Sequence, residues 1–112
     1  MKRLLLFIPL FLLSVYALAQ IDKVIPKRPN PPTLVNDFTN TLTHEQIAAL
    51  ESKLVTYDDS TSNQIAIVII PTTGNYSVEE VALEILRPTG WGVGNKNTNN
   101  GIVLLVAKDD HK

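Results

Sequence analysis

The sequence predicts an α/β fold, a three-layer sandwich built around a mostly parallel sheet. Two runs, residues 64–70 and 101–107, are almost continuously apolar and rich in β-branched side chains. Such runs are typical of strands covered on both faces, as in a parallel sheet. A helix-forming segment lies between them, so the two strands should pair in parallel across a right-handed crossover.

The first helix is predicted to begin after Thr43. Gln46 lies three positions later, and together the two residues form a capping box. Apolar residues then recur at the spacing of one helix face. These are Ile47, Leu50, Leu54 and Tyr57. The turn-forming residues 58–63 are expected to end the helix.

The second helix repeats this pattern. Ser77 is the predicted cap, with Glu80 completing the box, and Pro88 is expected to stop the helix. Its apolar face is formed by Val78, Val81, Ala82 and Ile85. Residues 88–100 form a loop rich in glycine and asparagine, in which we expect Trp91 to be an apolar plug.

Residues 1–19 predict a signal peptide. A basic start precedes an apolar run at 4–18, and the Ala-Leu-Ala at 17–19 is a cleavage site that leaves Gln20 first. The alternative is an uncleaved anchor, but the apolar run is shorter than the roughly 20 residues that a spanning helix needs. We therefore expect a secreted protein of the periplasm or cell envelope. Because the chain has no cysteine, it has no lipid-anchoring cysteine and relies on its core.

Residues 20–32 are predicted to be a proline-rich linker. Four of the seven residues from 26 to 32 are proline, which favours an extended, polyproline-like tether. The alternative is a ligand for a proline-binding partner. Residues 33–112 form the folded domain.

The charge of the chain argues against nucleic acid as a partner. Ten basic residues face eleven acidic ones, and removal of Lys2 and Arg3 with the leader leaves eight and a formal charge of −3. No basic cluster remains beyond Lys27 and Arg28, whereas nucleic-acid binding needs a positive surface.

The order of these segments resembles the TPM domain, a family named from a thylakoid lumen protein, a photosystem II repair protein and a receptor modulator. The matching segments are 34–38 (LVNDF), 42–54, 64–68, 76–86, 91–94 and 99–107. Two departures stand out. Residues 87–90 interrupt the approach to Trp91, and the later half of the family domain is missing, so we expect residues 33–112 to be the N-terminal portion of a truncated domain.

The resemblance implies a noncatalytic, exported module that helps to assemble or repair membrane complexes through an envelope or membrane protein partner, with Ca²⁺ as a candidate ligand. The alternative that it implies is a metal-dependent phosphatase. Nucleotide binding is not expected, because the glycines of residues 90–94 follow a helix, whereas the dinucleotide fingerprint follows a strand and opens a helix.

Candidate site residues follow from the sheet. Ligands of open parallel sheets bind beyond the carboxyl ends of the strands. There Asp37, Asp109 and Asp110 would offer oxygen ligands to Ca²⁺ or Mg²⁺. In the alternative interpretation Asp37 bonds nearby amides of a turn, and the other two lie in a solvated turn.

Catalytic residues are not identified by the sequence. It has no cysteine, and no serine lies in the strand-turn-helix context of a nucleophile elbow. His44 is expected to face solvent in the first turn of a helix. His111 lies in the polar tail and has no assigned role.

Overall fold

The computed structural model describes residues 21, 23–94 and 100–112. The predicted signal peptide and Gln20 lie outside these ranges. Strands and helices alternate along the described chain. In order they are β1 (Val35–Asp37), α1 (His44–Thr61), β2 (Gln64–Ile70), α2 (Val78–Leu86) and β3 (Gly101–Ala107).

The three strands form one parallel sheet in the order β1-β2-β3. In the register of the sheet, Ile67 of β2 is the partner of both Val35 and Leu104. Strands β2 and β3 have the bounds that their apolar runs predict. The α/β fold with a parallel sheet is therefore confirmed.

Strand β1 lies within the 34–38 motif and was not predicted as a strand. It is three residues long and contains Asn36 and Asp37, two residue types that strands disfavour. Side-chain hydrogen bonds, two local and one to β2, stabilise it. The buried amide of Asn36 donates to the carbonyls of Thr33 and Ile67, at 3.1 and 3.2 Å, and the Thr33 hydroxyl donates to its Oδ1 at 2.8 Å.

Helix α1 begins as predicted and ends later than predicted. The Thr43 capping box is confirmed: its hydroxyl accepts from the Gln46 N–H, and the Gln46 side chain accepts from the Thr43 N–H. The prediction that residues 58–63 end the helix was wrong for 58–61. The Thr61 hydroxyl donates to the carbonyl of Tyr57 at 2.6 Å, so this turn-forming residue bonds back into the helix. The helix ends where Ser62 adopts a left-handed conformation, with φ of 63°.

Helix α2 follows the sequence pattern closely. The Ser77 hydroxyl caps it by accepting from the Glu80 N–H at 3.1 Å. The helix ends at Leu86, two residues before Pro88. Its predicted apolar face is confirmed, because Val81 and Ile85 are fully buried.

The main core lies between α2 and one face of the sheet. Its buried members come from β2, α2 and β3, and they are Val68, Ile70, Val81, Ile85 and Leu105. Helix α1 contacts β1 and β2 but contributes no side chain to this cluster. The two helices therefore lie on opposite faces of the sheet, which gives three layers.

The α1 face of the sheet is covered unevenly. Val35 and Ile69, on the strands that α1 contacts, are 4% and 7% exposed. Ile102 and Leu104 of β3 point to the same face as their partners in β2, yet each is 53% exposed. Strand β3 also lies at the end of the sheet, and its outer edge has no strand partner among the described residues. In the part of the chain that the structure describes, an apolar strip is thus open to solvent.

None of the helices that the structure describes is long and apolar enough to cross a membrane.

Candidate functional site

The carboxyl ends of the three strands meet at one edge of the sheet, which we call the carboxyl edge. Asp37 ends β1, Pro71 follows β2 and Lys108 follows β3. Backbone bonds join the three segments. The N–H of Phe38 donates to Ile69 O at 2.9 Å, and the N–H of Lys108 donates to Ile70 O at 3.0 Å. The expectation that Asp37 reaches the same edge as residues 108–110 is confirmed by this sheet order.

Asp37 organises the turn between β1 and α1. Its Oδ1 accepts from the N–H and the hydroxyl of Thr39, at 3.0 and 2.8 Å, and its Oδ2 accepts from the N–H of Leu42 at 2.7 Å. Burial acts to raise the pKa of Asp37, but the bonds from Leu42, Thr39 and Thr41 outweigh it and hold the pKa below its ordinary value. The carboxylate is therefore ionised at neutral pH and acts as the acceptor at the centre of the turn.

Asp110 joins the segment after β3 to the segment after β2. Its carboxylate accepts from the Thr73 N–H at 3.0 Å and from the Thr72 hydroxyl at 2.9 and 3.0 Å. The Thr73 hydroxyl lies 3.4 Å from the same carboxylate. The pKa of Asp110 is lowered, chiefly by the Thr73 N–H and then by the Thr72 hydroxyl, with a smaller contribution from the Lys112 charge.

Sequence reasoning missed the roles of Thr72 and Thr73. Thr73 is buried, at 3% exposure, and its hydroxyl also donates to the carbonyl of Tyr76 at 2.8 Å. A signal was available, because both threonines directly follow the proline that ends a buried strand. Their partner Asp110 is 37 residues or more away in sequence, so the pairing itself could not be read from spacing.

The three predicted metal ligands are not arranged as one cluster. Asp37 is the last residue of β1, and Asp110 follows β3. These two strands flank β2 and are therefore separated by roughly 10 Å, twice the spacing of neighbouring strands. Asp109 is exposed, and its N–H donates to Pro71 O at 2.8 Å. Within the described ranges, no group of three or more histidine, aspartate or glutamate side chains could hold a metal ion.

Hydrogen-bond donors of the domain itself surround these carboxylates. A carboxylate has about four lone-pair positions, and hydrogen-bond donors already occupy most of those on Asp37 and Asp110. A cation would have to displace these donors. Binding of Ca²⁺ or Mg²⁺ by Asp37, Asp109 and Asp110 stays a prediction.

Neither histidine is among the hydrogen-bond partners that the structure describes for Asp37 and Asp110. His44 is exposed in the first turn of α1, as predicted. His111 is exposed in the terminal turn, where its φ is 56°.

Trp91 packs against the core and is also hydrogen bonded. Its ring lies among the half-buried residues around the main cluster, which confirms the expected apolar plug. In addition its indole N–H donates to the carbonyl of Pro26 at 3.1 Å, a contact that the sequence did not predict. Gly90 is required beside it, because a Cβ at that position would lie 2.0 Å from the carbonyl oxygen of Glu84.

These features define a three-layer α/β domain whose candidate site lies at the carboxyl edge of a parallel sheet. The model of one protein family, the TPM domain, matches residues 35–112, which is more than half of the chain. The chain belongs to the TPM domain family, and the resemblance seen in the sequence is confirmed. No curated protein matches the sequence.

Proposed function

We propose that this protein is a noncatalytic binding module of the cell envelope, which helps to assemble or repair membrane complexes by docking a protein partner. Family membership supports the class of module. The predicted signal peptide supports export. The observation that carries the proposal is the apolar strip on β3.

The strip has the properties of a protein-docking surface. Ile102 and Leu104 are each 53% exposed on one face, and the outer edge of the same strand has no strand partner within the described ranges. Burying apolar area is favourable by about 25 cal/mol per Å². A partner strand added to an open edge also gains main-chain hydrogen bonds. The later half of the family domain, which the sequence leads us to expect, would satisfy both features at once, and so would a separate partner with an extended apolar segment. Recovery of a second protein that depends on Leu104 decides for the partner.

The carboxyl edge fits a structural role better than catalysis. Asp37 and Asp110 accept bonds that close turns within the domain. A general base must have a proton of the substrate within hydrogen-bond reach. In Asp37 and Asp110, backbone N–H groups and threonine hydroxyls of the domain occupy the positions that a substrate proton would need.

The test is affinity isolation of the tagged protein from envelope extracts. Leu104→Asn should reduce recovery of the partner at least tenfold, because it places an amide at the centre of the apolar contact. Removal of a well-buried apolar anchor typically costs about 2 kcal/mol or more, which exceeds a tenfold change in affinity.

Leu83→Asn is the matched control. Leu83 is 48% exposed on α2, on the opposite face of the sheet, so this change should leave recovery unaltered. Equal recovery of the same partner with both variants, each shown to be folded by circular dichroism, would refute docking through the strip.

A metal-dependent phosphatase is the second candidate. It is favoured by two ionised aspartates with lowered pKa, together with the hydroxyl of Thr72, at the edge where α/β sheets bind ligands. Calorimetric titration with Ca²⁺ and with Mg²⁺ tests it, with Asp37→Ala as the variant and Asp59→Ala, an exposed aspartate on α1, as the control. Binding that disappears only in Asp37→Ala, with hydrolysis of p-nitrophenyl phosphate, would support the phosphatase. Absence of both would leave Asp37 as a turn residue.

A further inference from the structure

The segment before β1 is docked against the domain, although its sequence predicts a tether. Val24 and Ile25 pack against the main core cluster. Pro26 follows and accepts the hydrogen bond from the indole N–H of Trp91 at 3.1 Å. Two residues later, Arg28 Nη1 donates to the Trp91 carbonyl at 2.7 Å. One tryptophan therefore contacts the segment through both its ring and its backbone.

The guanidinium of Arg28 is also held by the tryptophan ring. Its central carbon lies 5.9 Å from the ring centroid, within the range of a cation–π contact. Its Nε is shielded from solvent and has no hydrogen-bond partner in the part of the chain that the structure describes. The interactions seen for this side chain thus go to Trp91, so the fit of Arg28 depends on that one residue.

The docked segment occupies one side of an open groove. The groove has a volume of about 360 Å³. Residues of the segment form one wall, and Glu84, Thr89, Gly90 and Trp91 form the other. Phe38 packs edge-on against Trp91, with ring centroids 6.3 Å apart, and so holds the indole ring in place.

These contacts match the chemistry by which aromatic grooves recognise proline-rich peptides. Such peptides are already extended, and they are bound on aromatic rings with hydrogen bonds to their carbonyls. Here the aromatic ring is that of Trp91, and the accepting carbonyl is that of Pro26. Arg28, two positions after Pro26, donates a hydrogen bond to the backbone carbonyl of Trp91.

We propose that Trp91 is the centre of a recognition site for a proline-containing basic peptide, and that residues 25–28, which lie beside its ring as one wall of the groove, are its resident intramolecular ligand. This site lies on the α2 side of the sheet, since Trp91 packs against the α2 core. It is separate from the apolar strip on the other face, so the two proposals can fail independently.

The internal segment competes with any external peptide for the contacts of Trp91. A tethered segment acts at an effective concentration on the order of millimolar, so a free peptide competes only when the internal contact is weakened. Arg28→Ala weakens it by removing a charge-assisted hydrogen bond and the ring contact. The ratio of docked to undocked segment should fall on the order of tenfold.

Trp91 reports this change directly, because it is the only tryptophan in the chain. The chain beginning at Gln20 is studied by acrylamide quenching of its fluorescence. Arg28→Ala should be quenched more strongly than wild type. Lys53→Ala removes one positive charge from an exposed residue of α1, on the opposite face of the sheet, and should behave as wild type. Equal quenching of all three chains would overturn the proposal.

The second arm tests recognition of a separate peptide. A synthetic peptide of residues 23–31 is titrated into the Arg28→Ala chain up to millimolar concentration, to match the effective concentration of a tether. It should restore the shielding of Trp91, whereas the same peptide carrying Arg28→Ala should not. Equal effects of the two peptides, or no effect of either, would refute a recognition site.

A third measurement needs no variant and so does not depend on variant folding. In the unmodified chain, NMR should show a nuclear Overhauser contact between the indole N–H of Trp91 and the protons of Pro26 or its neighbours. Absence of that contact, with the domain amides well dispersed, would show that the segment is undocked and would overturn the proposal.

Discussion

Glu51 should stabilise the domain by holding the start of β1 against α1. This residue lies in the middle of α1, and its carboxylate accepts from the N–H of Leu34 at 3.0 and 3.1 Å and from the N–H of Val35 at 2.9 Å. Both donors belong to buried residues. Without the carboxylate, these two N–H groups lose the hydrogen bonds to α1 that the structure describes, and only packing contacts then hold β1 to the helix.

The magnitude follows from the two donors. A buried donor left without a partner costs about 1–3 kcal/mol. Glu51 is only half-buried, so water can replace part of the loss, and Glu51→Ala should lower the free energy of unfolding by about 2–4 kcal/mol. Glu51→Gln keeps one acceptor oxygen and should lose about half as much. Because the total free energy of unfolding of a typical domain is only about 5–15 kcal/mol, the alanine variant should lose a large fraction of its stability.

The assay is urea unfolding of the chain beginning at Gln20, followed by Trp91 fluorescence and far-ultraviolet circular dichroism. Glu45→Gln is the control, because Glu45 is an exposed acid in the first turn of the same helix, and its loss should cost only about 0.5 kcal/mol through the helix dipole. If Glu51→Ala and Glu45→Gln unfold at the same urea concentration, the carboxylate does not hold β1.

Three other outcomes are expected. The folded-state pKa values of Asp37 and Asp110 are lowered from the ordinary value of aspartate, so their stabilisation is complete above the unfolded pKa and is lost as pH falls through the folded pKa. When the free energy of unfolding is measured from pH 6 to about pH 2, it should decrease once the pH is below about 4, and it should decrease less steeply in the Asp37→Asn variant. Ser77→Ala removes the N-cap of α2 and should lower the free energy of unfolding in urea by about 1 kcal/mol. An unchanged free energy of unfolding would contradict this role of the cap. Gly101→Ala places a Cβ 2.0 Å from the carbonyl oxygen of Val93, so its thermal midpoint should fall by several degrees, and an unchanged midpoint would contradict this packing.

The elements with strong local signals were predicted well. The apolar runs of β2 and β3 and the caps Thr43 and Ser77 depend on nearby residues, which one sequence contains. The end of α1 was missed because hydroxyl residues such as Thr61 can either break a helix or bond back into it. Only the tertiary context decides between these two outcomes.

The features that the sequence could not reveal depend on distant partners. Strand β1 exists because Asn36 bonds to Ile67 and Glu51 reaches its first amides, over separations that no local pattern encodes. The docking of Arg28 on Trp91 spans 63 positions and contradicts the composition of its own segment, which resembles a free linker. The candidate aspartates were placed at the correct edge, but their hydrogen-bond donors were not foreseen.

The central claim, that the β3 strip docks a protein of the envelope, is tested most directly by photo-crosslinking in living cells. A photoreactive benzophenone amino acid is placed at position 104, and at position 83 of α2 as the control for exposure alone. The binding-module account predicts an adduct with another envelope protein at position 104 and none with that protein at position 83. Adducts that are the same at both positions, or none at position 104 in a folded and exported chain, would contradict it.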